Sequence, residues 1–313
     1  MYAVTPTPAA PRIVAVVVTY NRVALLQRLV PRLRSIAGLD QIIVVDNAST
    51  DGTPEWLASA AQEPGTLLHA HLMTSNTGGA GGFHDGLQAA IEGTDADLVW
   101  LMDDDGLPDP DCLATLLEHR DLDFWGPVVV DEDDPQRLVF PIRLPGGTSV
   151  AHDRAAVSRA ARDGLLDDIV IPFNGILVTR ALVEKIGYPR AEFFIWGDDH
   201  EYRLRAEKAG ARIATVTDAV VRHPSVGELG TPMAFGRTTY NHTPSDLKHY
   251  CMARNNVVNL RDYRGWLFVL AFVLKTVWFY AFTRPSLQRL RLSAEGIAAG
   301  VRDDFTGHLR FLA

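Results

Sequence analysis

The chain has 313 residues, 47% of them hydrophobic, which supports a sizeable core in one large domain or two smaller ones. With a formal net charge of -8, nothing suggests nucleic acid as the main partner, and the many acidic residues leave room for a metal site. Cys112 and Cys251 stand far apart in unlike contexts, so they give neither a disulfide framework nor a zinc signature and fit a reducing compartment. Met1 to Pro11 is rich in Pro, Thr and Ala and has no apolar stretch, so no signal peptide is expected there.

Apolar, β-branched runs then alternate with helix-patterned stretches. Ile13 to Val18 reads as a strand buried on both faces, and Asn21 is placed to cap a helix through Leu33. Gln41 to Val45 is a second strand. The turn Ser49 to Pro54 starts another helix. Leu67 to Met73 is a third strand, and a Gly-rich loop from Asn76 to Gly82 leads into a helix through Ile91. Leu98 to Met102 and Phe124 to Val130 follow as strands. The order predicts an α/β fold with a mostly parallel, doubly wound sheet. Asp131 to Asp168 is polar and Gly/Pro-bearing, and reads as a long, partly ordered insertion. Regular structure resumes at Ile169 to Val178. A helix over Asp198 to Ala209 and a short strand over Arg212 to Val216 come next, and the pattern is helical from Ser245 onward. Trp266 to Phe282 is apolar on all faces except at Lys275. It reads either as a buried core helix or as a helix lying against lipid, and less readily as a membrane span.

The chemistry concentrates at strand ends. Asp103, Asp104 and Asp105 follow the fourth strand, at the edge where open α/β sheets bind ligands. Such a cluster calls for a cation, and oxygen ligands suit Mg²⁺ or Mn²⁺. Alternation along an extended segment lets Asp103 and Asp105 converge while Asp104 points away. The plainer reading is a solvated acidic turn. Thr19, Tyr20 and Arg22 end the first strand and Asp46 the second. There a carboxylate can read a nucleobase and Tyr20 can stack, or Asp46 can form an Asx-turn and Tyr20 can pack. Asn76, Gly78 and Gly79 open the glycine run, whose free N–H groups favour an anion. The second acidic motif is Trp196-Gly197-Asp198-Asp199-His200-Glu201. A helix-cap role fits Asp198 best, which leaves Asp199 as the candidate general base. Trp196 and Glu201 are candidates for meeting an acceptor. His223 follows the late strand, where imidazole can join carboxylates at a metal.

The ordered set TYNR, DNASTDG, NTGGAGGF, LMDDDG, WGDDHEY and a later histidine resembles the inverting, metal-dependent glycosyltransferases of family 2, with the GT-A nucleotide-sugar fold. The triple aspartate and glycine run look most like the actinobacterial galactofuranosyltransferases, and the early first strand looks like the shorter enzyme that initiates galactan. The resemblance implies a GT-A domain over 12–245 and a helical C-terminal extension over 246–313. It implies that UDP-galactofuranose is the donor, contacted by Thr19, Tyr20, Arg22, Asp46, Asn76, Gly78, Gly79, Asp103 and Asp104. It also implies Mn²⁺ or Mg²⁺ near Asp103, Asp105 and His223, with Asp199 as base and Asp198 beside it. The implied acceptor is a rhamnosyl-GlcNAc-diphospho-polyprenol, met peripherally at the cytoplasmic face of the plasma membrane. Homo-oligomerisation is left open. The rival readings are a dTDP-rhamnose donor, a non-catalytic nucleotide-sugar-binding scaffold and a nicotinamide oxidoreductase. The last is disfavoured because TYNR, not a glycine turn, follows the first strand.

Overall fold

The computed structural model describes residues 10–146, 149–226, 230–236 and 238–312, so the lead-in as far as Ala9 lies outside the described residues. Four strands come first: β1 (Ile13–Thr19), β2 (Gln41–Asp46), β3 (Leu68–Leu72) and β4 (Leu98–Asp103). Between them run α1 (Val23–Ser35), α2 (Thr53–Ala60) and α3 (Gly78–Gly93). Successive side chains of a strand face opposite ways, and β1 is buried throughout. Ile13, Ala15 and Val17 therefore join one core with Leu26, Leu29 and Leu33 of α1, while Val14, Val16 and Val18 join the other with Phe83 and Leu87 of α3.

The chain continues through β5 (Leu107–Pro108), α4 (Cys112–Leu116) and β6 (Phe124–Asp131). The expected insertion is more ordered than its polarity suggests. It forms β7 (Arg137–Arg143), β8 (Val150–Asp153), α5 (Arg154–Ala160) and β9 (Leu165–Asp167). Leu138, Ile142, Ala151, Val157 and Leu166 give these pieces a small core of their own against Val128, Val130 and Val220.

Next come β10 (Asn174–Thr179), α6 (Arg180–Ile186), α7 (Asp198–Lys208) and β11 (Ile213–His223). The predicted short strand and the His223 segment are thus one strand, bulged between Val216 and Val220. The main path of the sheet is β3-β2-β1-β4-β10-β6-β11-β5. β10 runs antiparallel to both β4 and β6, and β11 runs parallel to β6. β11 therefore points the same way as β1, β2 and β4, and its last residue, His223, arrives at the edge where Thr19, Asp46 and Asp103 end.

A hairpin of β12 (Thr231–Met233) and β13 (Thr238–Tyr240) leads to α8 (Asp246–Tyr263) and α9 (Trp266–Trp278), which runs into a π-helical turn, Phe279–Thr283. The last helix is α10 (Leu287–Val301). Trp266–Thr283 is long and apolar enough to cross a membrane by length and composition, yet only 22% of it is buried. The core-helix reading is therefore overturned. Leu267, Leu270, Leu274 and Phe282 lie bare along it, with Leu267 at 75% exposure.

Two local expectations are corrected. Asn21 does not cap α1: its backbone is left-handed at φ 53°, and its side chain accepts from the Thr50 N–H at 2.7 Å. The first turn of α1 is served instead by Asp51, which accepts from Val23 N–H at 3.0 Å. The glycine run is not a loop either but the first turns of α3. A Cβ on Gly82 would lie 2.5 Å from Val18, and one on Gly86 would lie 2.6 Å from Val16. These glycines let α3 lie directly on β1 and β2.

Candidate active site

The aspartate cluster is organised by β1. The Thr19 hydroxyl donates to Asp104 at 2.6 Å. Arg22 donates to Asp104 at 2.9 Å and to Asp105 at 2.8 Å. Asp104 therefore does not point away from the cluster. It is buried, and Thr19 serves to position it rather than to face a donor. Burial opposes charge on Asp104, and its carboxyl is raised despite Thr19 and Arg22. The cation expected to neutralise the cluster is, in part, the protein's own guanidinium.

Asp105 turns its other oxygen towards β11. Its Oδ1 is buried and lies 3.1 Å from His223 Nε2, which is its one partner among the described residues and bonds to it only when that nitrogen carries a proton. His223 Nδ1 is 2.7 Å from the Pro224 carbonyl, a contact in which the ring nitrogen donates. Neutral imidazole then presents its Nε2 lone pair to a carboxylate lone pair, and Phe140 packs edge-on against the ring. Two facing lone pairs need a proton or a cation between them. Burial disfavours charge on His223, but the hydrogen bond and charge of Asp105 outweigh it and hold the imidazole above its usual range. Burial likewise opposes charge on Asp105, but His223 and Arg22 keep its carboxyl below the usual range. This pair fits a divalent cation, which commonly takes one or two protein ligands and fills its shell with phosphate and water oxygens. Among the described residues no group of three or more His, Cys, Asp or Glu is set to hold a metal. Of the expected trio, Asp105 and His223 are in contact, and the charge of Asp105 reaches Asp103.

Asp103 lies between the two acidic motifs. Burial first, and then the charges of Asp105, Asp104 and Asp198, push its carboxyl well above the usual range. Asp198 and Asp199 begin α7 behind a left-handed Gly197. That glycine, not Asp198, occupies the cap position, which corrects the cap expectation. Asp198 is buried, and burial together with Asp199 raises its carboxyl. Asp199 is only partly buried, and its Oδ1 accepts from the His200 N–H at 2.6 Å. Burial is also the main cause raising its carboxyl. Asp198 is thus the inward member of the pair and Asp199 the outward one.

Glu201 does not meet an acceptor, and that expectation is corrected. It is buried, and it accepts from Tyr263 Oη at 2.6 Å and from Arg205 at 3.1 and 2.5 Å. Its role is to tie α7 to the end of α8. Trp196 is partly exposed and packs on Met233, Tyr240, Met252 and Phe279. Tyr20 follows β1 and is 44% exposed. Asp46 is buried, and its carboxylate accepts from Ser49 N–H at 3.2 Å, so it is seen in its turn role.

The glycine run mostly serves the protein itself. Gly78 has φ 73°, and a Cβ there would lie 2.0 Å from the Phe194 carbonyl oxygen. That oxygen accepts from Ala80 N–H at 3.0 Å, while Asn76 Oδ1 accepts from Gly78 N–H at 2.8 Å. Gly78 and Asn76 thus join the glycine run to the loop before α7, and a donor role for Gly78 is corrected. Gly79 alone faces open space at the start of the run.

Sequence reading missed the residues that hold this arrangement. Asn47 donates to the Gly78 carbonyl at 2.7 Å and accepts from Thr77 N–H at 2.8 Å. Asn255 on α8 donates to the carbonyls of Phe193, Ile195 and Trp196 at 3.0, 3.1 and 2.7 Å. Arg254 reaches Phe193 at 2.8 Å, and Asn259 reaches Gly197 at 2.9 Å. Phe194, Trp196 and Gly197 all have positive φ, so the loop depends on these bonds. The sequence signal was Arg254-Asn255-Asn256 inside a helix-patterned stretch.

Comparison with known proteins agrees with this layout. Residues 14–137 match Glycosyl transferase family 2. Galactofuranosyltransferase GlfT1 of Mycolicibacterium smegmatis is 32% identical over 292 residues, covering 88% of this chain and 92% of that protein. Undecaprenyl-phosphate mannosyltransferase of Micrococcus luteus is 34% identical over 110 residues, covering 34% of this chain and 43% of that protein. Among solved structures, GalNAc-T7 with UDP, GalNAc and Mn²⁺ superposes with a TM-score of 0.60 at 14% identity, over 92% of this chain and 55% of that one. At that identity the likeness speaks to the fold, and the fold is GT-A.

Proposed function

Since the chain belongs to glycosyl transferase family 2 and is a galactofuranosyltransferase, we propose that it moves galactofuranose from UDP-galactofuranose to a rhamnosyl-GlcNAc-diphospho-polyprenol, with inversion at the anomeric carbon. The observation that carries this reading is the likeness to galactofuranosyltransferase GlfT1 over 88% of this chain, together with an Asp105–His223 pair at 3.1 Å at the edge where β4 and β11 end.

Asp105 and His223 would hold Mn²⁺ or Mg²⁺, which when bound stabilises the charge of a departing diphosphate as a Lewis acid. Thr19 and Arg22 fix Asp104 and Asp105, so the acidic floor does not reorganise as charge develops. Tyr20, exposed beside this edge, would stack on the nucleobase. Asp199, the outward carboxylate, accepts the proton from the acceptor hydroxyl as that oxygen attacks. Burial raises its carboxyl, which makes it a stronger base than an ordinary aspartate. Asp198 stays protonated behind it, because two full charges on adjacent buried carboxylates repel. No covalent glycosyl intermediate is needed for a single inverting displacement.

The bare apolar face of α9 supports peripheral contact with the cytoplasmic face of the plasma membrane, where a polyprenyl-linked acceptor resides. A donor screen with purified protein, Mn²⁺ and a synthetic rhamnosyl-GlcNAc-diphospholipid tests the reading. Turnover is expected with UDP-galactofuranose. Turnover with dTDP-rhamnose alone would transfer the assignment to a rhamnosyltransferase.

A further inference from the structure

The insertion that follows β6 reaches back to the Asp105–His223 pair. β11 ends at His223, which is in register with Asp131 at the end of β6, and Glu132 N–H donates to the His223 carbonyl at 3.1 Å. These contacts fix the backbone of His223 but leave its ring to be set by something else. The outer side-chain torsion of histidine is broad, and the tautomer follows the hydrogen bond its ring makes. The Pro224 carbonyl, 2.7 Å from Nδ1, supplies that bond. It lies beyond the end of β11, where no ladder bond holds it.

Two side chains of β7 meet this segment. Phe140 stands edge-on to the His223 ring, with centroids 5.3 Å apart and planes at 72°. Arg137 donates through Nη2 to the Ser225 hydroxyl at 2.7 Å and also to the Asp131 carboxylate. Asp131 is buried, and its other oxygen accepts from Asp133 N–H at 2.9 Å, so Arg137 is tied to a fixed point of the sheet. The Pro224 carbonyl and the Ser225 nitrogen belong to one planar peptide. Holding Ser225 therefore restricts the direction of that carbonyl. The contacts run in one line from Asp131 through Arg137, Ser225 and the Pro224 carbonyl to His223 Nδ1, and His223 Nε2 then faces Asp105 at 3.1 Å.

An imidazole that gives its Nδ1 proton to a carbonyl keeps a lone pair on Nε2, which is the form a metal ligand needs. We propose that Arg137, seated on Asp131, is a positioning residue for His223. Through Ser225 it holds the carbonyl that selects the ring's tautomer and aims Nε2 at the cation, while Phe140 braces the ring. The insertion is then a supporting wall of the metal site. This rests on the metal role given to Asp105 and His223 above and adds the residues that make the ligand ready.

The test measures Mn²⁺ binding to the full chain by titration calorimetry, with Tm taken on the same preparations. Ser225→Ala removes the exposed end of the line and leaves the Asp131–Arg137 pair in place. Its Kd for Mn²⁺ should rise about 10-fold, the lower end of what outer partners of metal ligands contribute, with Tm unchanged. Ser225→Thr keeps the hydroxyl and should bind Mn²⁺ as the wild type does. Arg137→Ala should weaken binding by a similar factor, and adding Ser225→Ala to it should cost little more, because both break one line. In transfer assays Ser225→Ala should need about 10-fold more Mn²⁺ for half-maximal rate yet reach the wild-type kcat once Mn²⁺ saturates. A wild-type Kd in both Ser225→Ala and Arg137→Ala would overturn the proposal. So would equal losses in Ser225→Thr and Ser225→Ala, since the hydroxyl would then not be the cause. Binding of Mn²⁺ by His223→Ala as tightly as by the wild type is a separate failure. It would remove the metal role itself, and this positioning with it.

Discussion

Asn255→Ala removes the amide that holds the loop before Asp198 and Asp199. Its two amide hydrogens are shared among the carbonyls of Phe193, Ile195 and Trp196, and all of these lie at a residue with no solvent exposure. Each net hydrogen bond contributes about 1 kcal/mol, and a carbonyl left unpaired in the interior costs about 1–3 kcal/mol. Arg254 still reaches Phe193, so the loss falls mainly on Ile195 and Trp196. The expected destabilisation is about 3 kcal/mol. At about 2.1 cal/mol/K of unfolding entropy per residue, that lowers Tm by roughly 5 °C in a chain of this length. The functional effect follows from strain. Phe194 and Trp196 sit at φ 64° and 73°, and without the amide the loop can relax and carry Asp199 with it. A displacement on the order of 1 Å costs about 10²-fold in rate. Calorimetry and steady-state transfer assays read the two effects separately. A lowered Tm with wild-type kcat would refute the positioning role, and no change in either would refute the whole argument.

Other outcomes follow from the same geometry. Asp198 holds its proton in the folded state more firmly than in the unfolded chain. It therefore stabilises the fold at low pH and loses that contribution as pH rises above the ordinary carboxylate value. Asp198→Asn should flatten the fall of Tm with rising pH, and an unaltered slope in a pH series of melts would contradict this. Gly86→Ala places a methyl 2.6 Å from Val16 and 2.8 Å from Val45, so overpacking should cost about 1–3 kcal/mol in denaturant unfolding. His223→Ala should weaken Mn²⁺ binding by titration calorimetry with little change in Tm, and wild-type activity in excess EDTA would rule out the metal. Liposome flotation of the wild type should exceed that of a folded Leu270→Glu/Leu274→Glu variant, and equal flotation would remove α9 from the membrane contact.

The parts of the fold legible in the sequence were those fixed by local pattern. β1, β2 and β4 announce themselves as β-branched runs buried on both faces, and the carboxylates after β4 and at the start of α7 follow directly. His223 could be suspected from its place after a strand. Its arrival beside Asp105, however, depends on β10 inserting antiparallel and restoring the direction of β6 and β11, which no local signal records. The glycine run misled because one residue type serves two ends. Glycine admits a ligand to the backbone, but it equally admits a helix to a sheet, as at Gly82 and Gly86, or one loop to another, as at Gly78. Glu201 misled for a related reason, since an acid near a site is as readily consumed by a partner from a distant helix, here Tyr263. Asn47 and Asn255 act across long sequence separations on backbone carbonyls, and such partners have no sequence signature.

The most direct test of the central claim is galactofuranosyl transfer by Asp199→Asn, with UDP binding measured on the same sample. The amide is nearly isosteric with the carboxylate but cannot accept a proton. UDP affinity should stay close to that of the wild type, while kcat falls by about 10²–10⁴-fold. In the wild type, kcat should rise with pH as the raised Asp199 carboxyl loses its proton, and the small residual rate of the variant should not follow that limb. Turnover by Asp199→Asn within about twofold of the wild type, with the pH limb intact, would show that another group accepts the proton and that the role assigned to Asp199 is wrong.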